Sequence, residues 1–342
     1  MMYRVAVLMG LSLLPVLGAD WNPRLAADYM DSRQKDWFAW PRANGGAKPC
    51  ISCHTGLSYL LARPALRKAL GEKDATQWET GLLESLRSRL DKRMPDGESL
   101  GVESVMAALF LRTPAALDRM WAMQIREGNT AGAWKWFNTD LDPWEEPESD
   151  LFGASLAAIA AGSAPAEYRK QPEVREREAA LAAYLRTGRS DQRPFQNWLA
   201  VAWASSALPE AMDEKTRQRV IREAFDKQRA DGGWGMEAMG PFKTHPNAPA
   251  ATPESSAYAT AFTTLALMKS GMGASEPRIA RALEWLRTHQ NREGGYWTGT
   301  SLNKQYKPDS MEIKFMNDAA TGFASLALVE AGDEGVRTSA RK

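Results

Sequence analysis

The chain has two cysteines, Cys50 and Cys53, and His54 follows them directly in the stretch PCISCHTG (49–56). Two thiols three positions apart, with an imidazole adjoining, allow three chemistries. In an oxidising compartment the thiols can close a Cys50–Cys53 disulfide. Zinc takes sulfur and nitrogen ligands, but three donors from five consecutive residues are sterically awkward, and no second cysteine pair completes a structural site. The Cys-x-x-Cys-His spacing is also that of c-type haem attachment. There both thiols add across the vinyl groups and the adjoining imidazole, here His54, ligates the iron. The sixth ligand is open, because fifteen methionines give no basis for choosing one. His245, in GPFKTHPNAPAATPE (240–254), is the best single candidate, and its alternative is a solvated loop histidine.

A second group is acidic. Asp140 and Asp142 form Asp-x-Asp in NTDLDPWEEPESDLFGAS (138–155), and Glu148, Asp150, Glu254 and Asp318 each stand where a small-residue apolar segment begins. If those segments are parallel helices, their carboxylates ring one mouth, and a protonated member, Asp150 or Asp318, is a candidate catalytic acid. Capping of helix N-termini accounts for each acid equally well. The stretch WKWFNTDLDPW (134–144) adds four aromatics that suit an apolar or cationic ligand, or an ordinary packed loop.

Helices have to position these residues. From residue 54 the chain alternates Ala/Gly/Ser-rich apolar segments, such as SDLFGASLAAIAAG (149–162), with amphipathic charged ones, such as KTRQRVIREAFDKQ (215–228), at a period of about 50 residues. The first kind reads as inner helices packed on both sides, the second as outer helices wet on one face. Six inner and five outer segments appear, and LAADYMDSRQKDWFAW (25–40) supplies the missing outer partner. Six closing hairpins make an all-α (α/α)6 toroid of alternating inner and outer helices over 54–335, with an open solenoid as the alternative. No convincing strand is present. The stretch 301–318 reads as a long loop, either a lid or a connection.

Two outer helices end in related turns, QRADGGW (Gln228, Gly232, Trp234) and QNREGGYW (Gln290, Gly294, Trp297), with a looser copy in QIREGNTAGAW (124–134). These residues resemble the QW repeat of the squalene/oxidosqualene cyclase and prenyltransferase toroid superfamily. In the fullest copy, RALEWLRTHQNREGGYW, the tryptophan is displaced by one position. The resemblance implies the toroid fold, with the glutamine amide capping a helix C-terminus, the tryptophan packing on it and the glycines making the turn. It does not deliver the activity. The Asp-x-Asp-Asp-Thr-Ala acid motif of the cyclases is missing, and so is the Asp/Cys/His zinc set of the prenyltransferases.

The first segment, MMYRVAVLMGLSLLPVLGAD (1–20), has a basic residue, an apolar run too short to span a bilayer, and small residues suited to a peptidase. It reads as a signal peptide over 1–19, cleaved to leave a periplasmic or otherwise exported protein with no transmembrane segment. Residues 20–53 follow as an N-terminal segment carrying the outer-helix candidate and the haem-attachment cysteines, and 336–342 form a frayed basic tail. Lys+Arg 43 against Asp+Glu 42, a net charge of +1, gives no basic excess for nucleic acid.

The expectation is an exported haem c protein on a toroid, engaged in redox or electron transfer. Cys50, Cys53 and His54 would hold one covalent haem at the cavity mouth, His54 as the metal ligand, with a redox partner and an apolar or isoprenoid ligand in the cavity. Two alternatives stand beside it. One is an isoprenoid cyclase or isomerase using Asp150 or Asp318, and the other is a non-catalytic lipid- or partner-binding toroid with a Cys50–Cys53 disulfide.

Overall fold

The computed structural model describes residues 21–43, 48–90, 98–146, 148–187 and 193–332. The signal peptide and the basic tail expected from sequence lie outside them. Among the described residues the regular structure is helical, with only two isolated bridges, Leu141–Glu145 and Asn247–Lys304. No described helix is long and apolar enough to cross a membrane.

Small residues make the inner helices. These are α2 (Gly56–Ala69), α4 (Glu98–Leu111), α6 (Asp150–Gly162), α9 (Phe195–Ala204), α11 (Ala257–Lys269) and α13 (Met311–Glu330). All but two residues of α6 are buried, which its Ala/Gly/Ser content permits without overpacking. Where α13 meets α2, a Cβ on Gly322 would fall 2.5 Å from that of Ser58, so the close approach requires glycine. Around the ring α4 packs on α6, α6 on α9, α9 on α11, α11 on α13 and α13 on α2, while α3 (Gln77–Leu90) packs on both α2 and α4 and bridges the seam between them.

The outer helices bury one stripe each, as α10 (Glu214–Asp226) does with Val220, Ile221 and Ala224. The others are α1 (Pro23–Ala39), α3, α5 (Pro114–Ala122), α8 (Pro172–Thr187) and α12 (Pro277–Thr288), with the one-turn α7 (Ala166–Arg169) between α6 and α8. Helix α1 lies against α2 and α13, the place left for a sixth outer helix. The architecture is the expected (α/α)6 toroid.

The three related turns do equivalent work, and the roles differ from those expected. It is the tryptophan that caps. Trp134 Nε1 donates to Met120 O (2.7 Å), Trp234 Nε1 to Ala224 O (2.7 Å) and Trp297 Nε1 to Leu286 O (2.8 Å), each a carbonyl near the end of the preceding outer helix. The glutamine reaches forward to the next outer helix. Gln124 Nε2 donates to Arg177 O of α8 (3.1 Å) and Gln228 Nε2 to Arg278 O of α12 (2.8 Å). Gln290 exchanges two bonds with Asn22, the cap of α1, accepting from its N–H (2.6 Å) and donating to its carbonyl (3.1 Å). This last turn closes the ring from its end to its beginning. Gly132, Gly232 and Gly295 have φ of 96°, 96° and 73°, and a Cβ on any of them would meet the backbone of that next outer helix. The turn glycine of the last copy is therefore Gly295, not Gly294. One extra residue precedes it, which is why Trp297 looked displaced.

One boundary differs. The stretch 301–318 is not all loop, because α13 begins at Met311, capped by Ser310 Oγ accepting from Ile313 N (3.3 Å).

Candidate functional site

The Cys-x-x-Cys-His segment leads straight into α2. Its backbone is fixed from both outer neighbours: Trp37 Nε1 of α1 donates to Cys50 O (2.8 Å), and Ser85 Oγ of α3 donates to Pro49 O (2.6 Å). Ser52 Oγ accepts from the amides of Thr55 (2.8 Å) and Gly56 (3.1 Å), starting the helix, and Gln34 Nε2 holds Thr55 O (2.9 Å). Both cysteines are free thiols, so the disulfide alternative is not formed here. The His54 ring lies 4.9 Å from Trp144 and 5.7 Å from Phe315, stacked on the latter.

Cys50, Cys53 and His54 all line one cavity of about 430 Å³, a size usual for ligand pockets. Aromatic rings form much of its wall: Trp37 from α1, Phe137 and Trp144 from the loop before α6, Tyr306, and Phe315 from α13. Met316 is also on it. The charged side chains lining it are Glu103 of α4, Asp142, Glu145 and Glu312 of α13. A smaller pocket beside it shares His54, Asp142, Trp144 and Met316, and adds Tyr258 of α11. The N-terminal ends of α2, α4, α11 and α13 thus converge on this site, as parallel inner helices require.

The loop carrying Asp142 and Trp144 is pinned on several sides. Asn303 accepts from Asp142 N (2.9 Å) and donates to Asp142 O (2.8 Å), and Gln196 Nε2 donates to Pro143 O (3.2 Å). Trp144 Nε1 donates to Tyr258 Oη (2.8 Å), which donates to Gln196 Oε1 (3.0 Å). His245 Nε2 stands 3.1 Å from Asp142 Oδ2. It is not among the residues lining the cavity, so its partner is a carboxylate and the expected iron-ligand position is not the one it occupies.

The acids expected to ring the mouth are differently placed. Asp318 lies two turns inside α13 rather than at its start. Its buried carboxylate accepts from Arg33 Nε (2.8 Å), Tyr29 Oη (2.9 Å) and Thr55 Oγ1 (2.7 Å), joining α13 to α1 and α2. Asp150 opens α6, is buried, and acts electrostatically on Arg193. Glu254 is exposed, three residues before α11. None of Glu148, Asp150, Glu254 and Asp318 lines the cavity; Glu103, Asp142, Glu145 and Glu312 do. Asp142 and the adjacent pair Glu145–Glu146 lay inside the acidic stretch read from sequence, whereas Glu103 and Glu312 carried no local signal.

Burial pushes the Cys50 and Cys53 thiols up, with Glu145 adding to the effect at Cys53, so they are not reactive thiolates. Burial pushes His54 down against the opposing charge of Glu145 and favours a neutral imidazole, the form that ligates metals. Glu146 is pushed up to about 9, first by burial and then by its hydrogen bond to, and the charge of, Asp142.

The fold and site define an α/α toroid with a cysteine–histidine cavity at the N-terminal end of its inner ring. Residues 257–342, about a quarter of the chain, match the family model of the squalene-hopene cyclase C-terminal domain. No curated protein matches the sequence. Among solved structures, UGL with dGlcA-Glc-Rha-Glc is similar at 16% identity and TM-score 0.52, covering 92% of this chain and 97% of that one. Unsaturated glucuronyl hydrolase from Bacillus sp. GL1, responsible for the degradation of glycosaminoglycan, is similar at 15% identity and TM-score 0.51, covering 92% and 98%. The ent-copalyl diphosphate synthase from Streptomyces platensis is similar at 16% identity and TM-score 0.46, covering 80% of this chain and 50% of that one. At these identities the likeness is one of fold.

Proposed function

We propose that the protein is an exported c-type haem protein whose toroid shelters one covalently attached haem in the 430 Å³ cavity, and that it works in redox or electron transfer. The observation that carries this reading is convergence: both thiols and the imidazole of the motif line a single aromatic-walled cavity of ligand size. In it Cys50 and Cys53 form the thioether links, His54 ligates the iron, and Met316 is the methionine on that wall. A bound haem supplies one-electron chemistry. Trp144 and Phe315 fix the plane of the His54 ring, and the bonds to Pro49, Cys50 and Thr55 hold the segment in place. Among the described residues the wall carries carboxylates and no lysine or arginine, which favours the oxidised, more positive iron.

The test is expression with the leader in a host equipped for c-type maturation, followed by denaturation and a pyridine haemochrome spectrum beside intact mass. A c-type band with a mass gain of one haem, both absent from the Cys50→Ala/Cys53→Ala variant, is the expected result. No covalent haem where a control matures overturns the reading. The family match over 257–342 favours a second reading, an isoprenoid cyclase or isomerase with Asp150 or Asp318 as acid. Against it, Asp318 is engaged by three donors and neither acid lines the cavity. Turnover of a polyprene that is lost in Asp150→Asn or Asp318→Asn would favour it.

A further inference from the structure

We propose that Met316 is the sixth ligand to the iron that His54 holds, which closes the coordination and makes the protein an electron carrier rather than a binder of small molecules at the metal. The inference rests on the haem reading and takes up the ligand that fifteen methionines left open in the sequence.

The fold accounts for the other candidates. Met30, Met106, Met120, Met212 and Met239 are buried in the core, and Met239 Sδ also takes the Thr263 hydroxyl (3.4 Å). Met123, Met268 and Met272 pack against that core. Met311 Sδ accepts from Arg33 Nη2 (3.1 Å). Met236 lines only the smaller pocket, whereas Met316 lines both pockets that His54 lines. Met1, Met2, Met9 and Met94 lie outside the described residues. Of the histidines, His245 stands against Asp142 and off the cavity wall. His289 stacks on Trp285 at 3.8 Å, at the end of the outer helix α12.

Contacts on both sides of Met316 tie it to His54. Phe315, one residue before it, stacks on the His54 ring at 5.7 Å. Asp318, two residues after it, accepts from the hydroxyl of Thr55, the residue next to His54 (2.7 Å). Ser58 Oγ reaches Asp318 O (3.3 Å), so the start of α2 and this turn of α13 are held as one unit. From the loop before α13, Gly299 N donates to Asn317 Oδ1 (2.8 Å), and a Cβ on Gly299 would fall 2.3 Å from Met316 O. The chemistry of the wall points the same way. Glu103 is engaged by Arg89, Glu145 by the Thr139 hydroxyl and Asp142 by His245. A thioether is soft and neutral, and it ligates without losing a proton or adding a charge to an acidic wall. It favours reduced iron, against the pull of the carboxylates.

The test reads the ligand, not turnover, in the haem-loaded full chain from the maturing host. The oxidised protein is expected to show the red-region charge-transfer band of a methionine sulfur on ferric iron, and the reduced protein to leave carbon monoxide unbound. Met316→Leu, with haem content and helical content unchanged, should lose the band, bind carbon monoxide when reduced and show a lower midpoint potential. Met236→Leu and Met94→Leu should keep the wild-type band. A wild type that lacks the band or binds carbon monoxide readily overturns the assignment without recourse to any variant. So does a band that survives in Met316→Leu or disappears in Met236→Leu or Met94→Leu. A chain without covalent haem overturns the haem reading and this assignment with it, whereas a haem-loaded chain without the band overturns the assignment alone.

Discussion

Replacement of Asp318 separates structure from chemistry in this toroid. Its carboxylate and the Arg33 guanidinium are each nearly inaccessible, at 4% and 3% exposure. Burial pushes the carboxyl up while Arg33, Thr55 and Tyr29 pull it back. Alanine at 318 leaves three donors from α1 and α2 without their acceptor, and Arg33 keeps the half-exposed Asp36 (2.6 Å) and Met311 Sδ (3.1 Å), of which only Asp36 is charged. An uncompensated buried charge costs about 3–5 kcal/mol. Asparagine keeps an acceptor and costs less, about 1–3 kcal/mol. The assay is guanidinium unfolding followed by circular dichroism, with Arg33→Met/Asp318→Leu as the paired variant, expected to recover most of the loss because no charge is stranded. The folded fraction should retain whatever the 430 Å³ cavity binds, since Asp318 does not line it. A stability loss below about 1 kcal/mol for Asp318→Ala, or a normally stable Asp318→Asn that has lost function, would refute this reasoning and return Asp318 to the list of acids.

Three further outcomes are expected. Glu146 holds its proton in the folded state up to about pH 9 against an ordinary 4.5, so between these values the native protein binds one proton more than the unfolded chain. Stability then falls with rising pH by up to about 1.4 kcal/mol per unit; Glu146→Gln should lose that slope in denaturant midpoints measured across the window. Glu145, whose charge acts on both Cys53 and His54, should lower the potential of a haem held there, and Glu145→Gln should raise it by the order of 60 mV in a redox titration. Gln290→Ala breaks both bonds to Asn22 and should cost about 2 kcal/mol, with proteolysis entering at α1 before the rest of the ring.

Periodicity and residue size made the fold legible. Ala/Gly/Ser segments had to be inner helices, and the amphipathic stretch 25–40 had to fill the outer position between α13 and α2, where α1 packs. What local pattern could not give was the division of labour in the turns. That Trp297 caps Leu286 while Gln290 reaches Asn22 depends on a neighbour 268 positions away. The same limit explains the acids. Asp318 looked like a helix start because the polar residues before it resemble a loop, but Ser310 starts the helix two turns earlier. Glu103 and Glu312 sit in ordinary helical sequence, and only ring closure brings them to the wall that Cys53 and His54 share. The stretch with Asp142 and Trp144 was visible as acidic and aromatic; its partners Asn303, Gln196 and Tyr258 were not.

Capping remains the simplest account of a carboxylate near a helix start, and it now divides the acids at the cavity. Where N-termini of inner helices converge, partial positive charge accumulates, and acidic residues in first turns are stabilised by it. Glu312, in the first turn of α13, is explained in that way. Glu103 is explained by Arg89, and Glu145 by the hydroxyl of Thr139, which donates to it at 2.6 Å. Asp142 has His245 Nε2 3.1 Å from its Oδ2, and Glu146 has neither explanation. The helix that follows them, α6, begins only at Asp150, and Asp142 Oδ1 and Glu146 Oε1 lack donors among the described residues. A buried carboxyl held protonated by its surroundings, as that of Glu146 is, weakens the fold at alkaline pH. Of the two, Asp142 lines the cavity that Cys50, Cys53 and His54 share.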